Sequence, residues 1–451
     1  MQPSNTEPGV DPQSRCCLHV RMRGSFLGLV VVRLWMSGDS MDPTDSGRSG
    51  DGGTGFLDVL DPGAVRDPYP EFARLRRQSP VLRRASIYAG APASYVVYRH
   101  DDVTRVLRDG ATFSSAVIAD GMREVWGRKI IVGMDAPEHQ HHRALVSVAF
   151  RQRTLARWEE SLVGRVVDEL IDQFVDRGHV DLATEYTFGF PAKVISGVLG
   201  LPEADYQQFQ QWAVGIITVF RDWDNAVRCS NELRAYLEHI VEERRVTPRD
   251  DLITDLVTAE LDGERLDDEE IYSFLRMLLP AGIETTYRSS GNLLYLLLTH
   301  PDQLDAVRDR SLIPQAIEEG LRYESPVLLT ARLTTKPTEL SSISIPQGAV
   351  VTAMVASANR DPDVYDDAET FNIFRDEHQH MSFGTGPHLC LGIHLARLET
   401  RVALNALLDR LPGLRLDQEA AEISDAHIQG DSLFRNPTSL PVEWDHSNTV
   451  S

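Results

Sequence analysis

The 451-residue chain carries 67 acidic against 45 basic residues, a formal charge of −22, with 42% hydrophobic and 25% charged residues. This surplus of negative charge argues against a nucleic-acid partner and against an anionic membrane surface, while the length suffices to bury a large core and enclose a cofactor. Four cysteines, Cys16 and Cys17 adjacent and Cys229 and Cys390 isolated, form neither a disulfide framework nor a zinc-ligand spacing and fit a reducing compartment.

Residues 1–55 read as an upstream extension. Their apolar run, 26–32 between Arg23 and Arg33, is far short of the roughly 20 residues that span a bilayer, and no small-residue cleavage site follows it. No stable membrane insertion is expected, and a cytoplasmic location follows. Met36 and Met41 compete with Met1 as the start, and a chain beginning at Met41 is expected to fold. The Gly-, Ser- and Asp-rich stretch 41–55 predicts disorder. A helix is expected over 71–78, after Asp67-Pro68-Tyr69-Pro70, and a strand over 94–98. Apolar residues then recur at intervals of three and four through 138–149, 155–177, 192–200, 203–219, 225–245 and 267–299, predicting helices. Gly200 and Pro202 close one of them. The stretch 339–354 reads as short strands around the turn Pro346-Gln347-Gly348, 391–411 as another long helix, and 433–444, with Pro437 and Pro441, as an extended tail. The predicted fold is mainly α with a minor β component.

Four segments carry chemistry. In 135–143, His139, His141 and His142 do not share one helix face, which argues against zinc; His139 and Arg143, four apart, do, and both suit a carboxylate. His141 and His142 read as surface residues. In 281–286, Glu284 stands beside Thr285, an acid and a hydroxyl suited to relaying protons, and Gly282 would leave room for dioxygen beside the helix. Without its context this segment reads more readily as a plain helix with a Thr pair. Pro280 removes the hydrogen bond to the Arg276 carbonyl and should kink the helix. Glu319 and Arg322 lie three apart on a helix and can pair, although alone such pairs are mostly solvated helix faces. Finally, 383–392 presents Cys390 in a glycine-rich loop before a helix. A thiolate there would gain from the helix N-terminus, from close backbone approach at Gly386 and Gly392, and from shielding by Phe383.

The order Phe383, two residues, Gly386, one residue, His388, one residue, Cys390, one residue, Gly392 resembles the cysteine loop of cytochromes P450. The resemblance extends over roughly 56–445, implying one catalytic domain with a short tail at 446–451. It implies haem b buried between the long central helix and the helix after the cysteine loop. Cys390 would be the iron ligand, with Phe383, Gly384, Gly392 and Ala281 also against the cofactor, and His139, Arg143, Arg332 and His388 would hold its propionates. Glu284 and Thr285 would be the catalytic acid and alcohol, and Glu319 with Arg322 a structural brace. Substrate contacts would come from a loop at 116–134 and from Met277, Ala281, Thr285, Val327, Leu328, Leu329, Leu433 and Phe434, mostly apolar, implying a hydrophobic small molecule. Ala136, His142, Ala144 and Pro280 depart from the family pattern.

The activity implied is insertion of one oxygen atom from dioxygen. NAD(P)H would contribute only indirectly, through a ferredoxin-type donor and its reductase, because no Rossmann fingerprint is present. Arg151, Arg153, Arg157, Arg397 and Arg401 would form the donor's docking patch. A peroxide-using or substrate-rearranging enzyme, and a non-catalytic haem-binding or ligand-binding protein, are the competing expectations.

Overall fold

One long apolar segment, capped at its start and stopped by a proline, organises the surrounding helices. The computed structural model describes residues 66–84, 93–150, 152–220, 222–376, 379–430 and 433–445. Its helices are α1 (Tyr69–Gln78), α2 (His100–Arg108), α3 (Ala116–Trp126), α4 (Glu138–Val146), α5 (Gln152–Trp158), α6 (Gly164–Asp172), α7 (Gly189–Val198), α8 (Tyr206–Ile217), α9 (Trp223–Val246), α10 (Leu252–Thr258), α11 (Asp268–Thr299), α12 (Pro301–Ala306), α13 (Ile313–Tyr323), α14 (Val355–Ala358), α15 (Ile393–Arg410) and α16 (Gln418–Ile423).

The 32-residue α11 is roughly 48 Å long. Its start is fixed by a reciprocal cap: the Asp267 carboxylate accepts the Glu270 backbone N–H at 2.7 Å, and the Glu270 carboxylate accepts the Asp267 N–H at 2.9 Å. Asp268 and Glu269 add negative charge at the positive helix end. Pro301 opens α12, where its missing N–H is no loss. Residues 271–280 are buried without a break, and α11 packs against α3, α7, α8, α9, α13 and α15. The helix expected over 267–299 is continuous across Pro280. No helix among the described residues is long and apolar enough to cross a membrane.

The minor β component comprises β1 (Val81–Arg84), β2 (Ser94–Val97), β3 (Phe113–Ser114), β4 (His179–Asp181), β5 (Glu260–Leu261), β6 (Glu264–Arg265), β7 (Thr330–Thr334), β8 (Thr338–Leu340), β9 (Ile343–Ile345), β10 (Val350–Ala353), β11 (Arg415–Leu416), β12 (Ile428–Gly430), β13 (Arg435–Pro437) and β14 (Pro441–Glu443). The main sheet runs β1-β2-β10-β7-β3. β10 is parallel to β2 with Val351 opposite Tyr95, and antiparallel to β7 with Val351 opposite Arg332, which places Arg332 on an interior strand.

Two expectations change. The stretch 116–134 is not a plain loop but α3 followed by a 3-10 turn at Ile131–Gly133; Val117, Met122 and Val125 form its buried side, and Asp120 and Gly121 dilute that pattern in the sequence. The stretch 155–177 is not one helix, because a π-helical segment at Glu159–Val163 separates α5 from α6.

Glu319 and Arg322 on α13 are fully buried and meet through two hydrogen bonds of 2.7 and 2.8 Å. Arg322 also donates to the carbonyls of Asn359 and Ala368, and Glu319 accepts the Asn372 N–H at 2.8 Å. Every arm of the pair is used, as burial of two charges requires, and the pair fastens the chain that leads into 381–392.

Candidate active site

The segment around Cys390 is held by its own backbone. Cys390 N–H donates to the Phe383 carbonyl at 2.8 Å, Gly384 N–H to Met381 at 2.8 Å, and Met381 N–H to the Asn359 side chain at 2.7 Å. Gly384 and Gly386 have φ of 70° and 73°, the left-handed region that favours glycine. At Gly386 an added Cβ would stand 2.9 Å from Arg108 Cα and 3.0 Å from the Leu107 carbonyl oxygen, so the loop lies flush against the end of α2. Gly392 differs: it precedes α15 with an ordinary φ of −85°, and a Cβ there would meet nothing within 4 Å.

Burial pushes the Cys390 thiol up, while the Gly392 N–H and the Arg143 and Arg397 charges pull it down. Arg397 lies over the Phe383 ring, 4.8 Å from its centre, and grips Glu318 with bonds of 2.7 and 2.6 Å. His380, its ring centre 5.7 Å from that of Phe383, closes on Glu318 at 3.3 Å. Burial raises the Glu318 carboxyl, but His380 and Arg397 outweigh it and bring the pKa down to about 2.

A second group gathers basic side chains from three elements. His139 of α4 and His388 of the cysteine loop meet with ring centres 4.0 Å apart and planes tilted by 40°, and His388 Nε2 lies 3.0 Å from Ser115 Oγ. Burial and then the charges of Arg332, His139 and Arg143 drive His388 down to about 3. Burial also lowers His139 and Arg143, and it brings Arg332 to about 10 against the pull of Asp135. His139 is 2% exposed and its Nε2 has no hydrogen-bond partner. Arg143 donates to the Leu389 carbonyl at 2.6 Å, tying α4 to the residue before Cys390. Such a cluster suits a ligand with carboxylates, each able to take charge-assisted bonds.

The third part is one stripe of α11. Ala281 is exposed and Gly282, Thr285 and Ser289 are half-exposed within a helix otherwise largely buried along this stretch. Thr285 Oγ1 donates to the Ala281 carbonyl at 2.7 Å. Ser289, one turn further, lines a small cavity with Phe383 and Arg397, which orients this stripe towards the cysteine loop.

The family model described as Cytochrome P450 matches residues 201–426. An erythromycin C-12 hydroxylase from Saccharopolyspora erythraea is 40% identical over 338 residues, 72% of this chain and 83% of that protein. The solved structure of cytochrome P450 CYP109Q5 from Chondromyces apiculatus matches with TM-score 0.77 and 35% identity, covering 87% of this chain and 98% of its own. CYP109E1 from Bacillus megaterium, solved in complex with testosterone, matches with TM-score 0.76 and 30% identity over 84% of this chain and 99% of its own.

The chain belongs to the cytochrome P450 family. It is a P450 monooxygenase of bacterial type, and the family implies haem. The residues present fit that group: a lone thiolate, a strip of α11 with an exposed alanine, and a basic cluster whose buried His139 Nε2 awaits an acceptor. Among the described residues no group of three or more His, Cys, Asp or Glu side chains is arranged to hold a metal ion. His141 lies 3.1 Å from Glu264 and is half-exposed, whereas His142 is buried, its Nδ1 3.7 Å from Glu270, so His142 is not the surface residue expected. Cys229 packs against the α8 backbone at Gly215, where a Cβ would stand 2.3 Å from its sulfur.

Other P450 site positions divide. Val327 and Phe434 pair across a β-bridge, and Leu328 N–H donates to the Leu433 carbonyl at 2.8 Å, so these parts of the expected substrate wall meet. Leu328 and Leu329 point into a core with Tyr69, Phe72 and Met354, and Met277 is buried in the main core, so the three lie among core side chains. Gly282 faces α7, where a Cβ would meet Ile195 at 3.0 Å; its small size serves helix packing. Glu284 does not turn to water: it is 4% exposed and accepts from Arg288 Nη2 at 2.8 Å. Nor do the described arginines of the docking patch stand free. Arg157 pairs with Asp250, Arg401 with Glu159 at 2.6 Å, and Arg397 with Glu318. Arg151 and the side chain of Arg153 lie outside the described residues. Sequence reasoning missed Arg288, although its place one turn after Glu284 was a signal, and missed Glu318, adjacent to Glu319.

Proposed function

We propose that this P450 hydroxylates or epoxidises a hydrophobic small molecule, with haem b on Cys390 and electrons passed from NAD(P)H by a ferredoxin-type donor and its reductase. The observation that carries the proposal is the α11 stripe, where the Thr285 hydroxyl adjoins an exposed alanine on a helix turned towards the cysteine loop, with the buried Glu284 carboxylate next to it in the chain. Haem bound through a thiolate supplies oxygen activation, because the sulfur pushes electron density onto iron and favours O–O cleavage. His139, Arg143, Arg332 and His388 hold the propionates, and those carboxylates relieve the mutual repulsion of the cluster. Phe383 and Arg397 cover the sulfur side. Thr285, whose hydroxyl rests on the Ala281 carbonyl, would relay a proton from solvent to dioxygen as the donor's electrons reduce it, and Glu284 sets the charge beside it.

Phe434, Val327 and Ala281 would present apolar surface to the substrate. Relatives that hydroxylate erythromycin or were solved with testosterone support a ring-containing apolar ligand of comparable bulk. In the test, Cys390→His abolishes the red-shifted ferrous–CO band, and the native enzyme with surrogate ferredoxin, reductase and a shift-inducing ligand forms oxygenated product. Survival of the band in Cys390→His while Cys229→Ser removes it would sink the ligand assignment, and product formed only with hydrogen peroxide would transfer the chain to the peroxide-using class.

A further inference from the structure

We propose that Arg288 is a positioning residue that ties the Glu284 carboxylate to the C-terminal β12–β13 hairpin, so that hairpin and acid move as one when a ligand presses on Phe434; this rests on the roles given above to Glu284 and Phe434. The Arg288 side chain is 11% exposed, and its two terminal nitrogens serve different masters. Nη2 donates to Glu284 Oε1 at 2.8 Å on its own helix, and Nη1 donates to Asn436 Oδ1 on β13. The guanidinium also lies over the Phe434 ring, 4.8 Å from its centre. Phe434 is bridged to Val327, the first residue of the expected substrate wall. One turn further along α11, Asn292 Nδ2 donates to the Arg435 carbonyl at 3.1 Å, so the hairpin is fastened to this helix at two successive turns.

A guanidinium is a rigid planar fork that satisfies two acceptors at fixed separation, which an ammonium cannot reproduce. A buried carboxylate also cannot leave its cation cheaply. Glu284 therefore reorients only if Arg288 releases it or lets go of Asn436, and displacement of the hairpin changes the carboxylate's setting. By linkage the reverse holds: changing Glu284 alters how the hairpin receives a ligand.

The experiment uses holoenzyme and the bulky apolar azole clotrimazole as probe, titrated by its spectral shift, with amide hydrogen exchange followed over 428–437. Glu284→Gln and Asn436→Ala are each expected to weaken clotrimazole at least threefold and to accelerate exchange in the hairpin. The double variant should be no worse than the poorer single one. In Arg288→Lys, which keeps a charge for Glu284 but cannot span both acceptors, the two effects should become independent and multiply. Effects that multiply with Arg288 intact, or hairpin exchange unmoved by Glu284→Gln, would overturn the proposal. Should Arg288→Lys not fold, the Glu284–Asn436 pair decides alone. An intact ferrous–CO band in each variant separates failure of this link from failure of the haem-thiolate assignment.

Discussion

Thr285 and Glu284 are neighbours in sequence but are held differently, and their variants should fail differently. The Thr285 hydroxyl is half-exposed and bonded only within its helix turn, to Ala281. Thr285→Ala should keep haem and ligand binding and continue to oxidise NADPH, while product per NADPH falls about tenfold and hydrogen peroxide rises. Full coupling in that variant would remove the relay role. Glu284→Gln should slow NADPH oxidation itself, because the charge beside the hydroxyl is gone. On the sulfur side, Glu318 sets an acid limit. Its carboxyl stands at about 2, below the ordinary carboxylate range, so the folded state binds fewer protons than the unfolded one. The stabilisation is complete above the unfolded value near 4.5 and is lost as pH falls towards 2. Glu318→Gln should lower stability near neutrality by about 2 kcal/mol after allowance for solvent screening, and flatten the acid side of a Tm-against-pH curve. Parallel curves for the two proteins would show that the ion pair contributes nothing.

At the scale of elements, the cysteine loop is shaped by its contact with α2. Gly386 combines a left-handed φ of 73° with a Cβ position 2.9 Å from the Arg108 backbone. Gly386→Ala should cost about 1–2 kcal/mol in backbone strain alone, more with the clash, and release haem faster. Gly110→Ala, just past the end of α2, is the control: its φ is not in the left-handed region and a new methyl there meets open space. Equal losses of Tm and haem in the two variants would contradict this division. The sequence pattern around Cys390 marked Gly386 and Gly392 as places of close approach, and the packing of α2 supplies the neighbour at Gly386. The central helix teaches a similar lesson. Its apolar spacing marked a helix over 267–299, and tertiary packing on every side outweighs the hydrogen bond lost at Pro280, whereas the reciprocal cap of Asp267 and Glu270 shows only in the fold.

Across the whole molecule, the resemblance begins after the first fifty-odd residues, so a chain starting at Met41 should incorporate haem and give the ferrous–CO band of the full chain. Loss of haem incorporation, or membrane attachment of the full chain alone, would reject this; residues 1–40 lie outside the described residues. The sequence by itself determined the family and most of the succession of long helices, and it marked Cys390 as the expected iron ligand. A ten-residue cysteine loop is local chemistry, and a helix of many turns repeats its apolar signal until it is unmistakable. Tertiary structure decided what depends on residues distant in the chain. It set the His139 ring against that of His388, buried His142, and packed Gly282 against Ile195. It matched the expected docking arginines Arg157, Arg397 and Arg401 with acids, and it gave Glu284 a cation that also holds Asn436. The physical reason is common to most of these: a charge or an imidazole is defined by its partner and its burial, and a partner dozens to hundreds of residues away leaves no trace in local spacing.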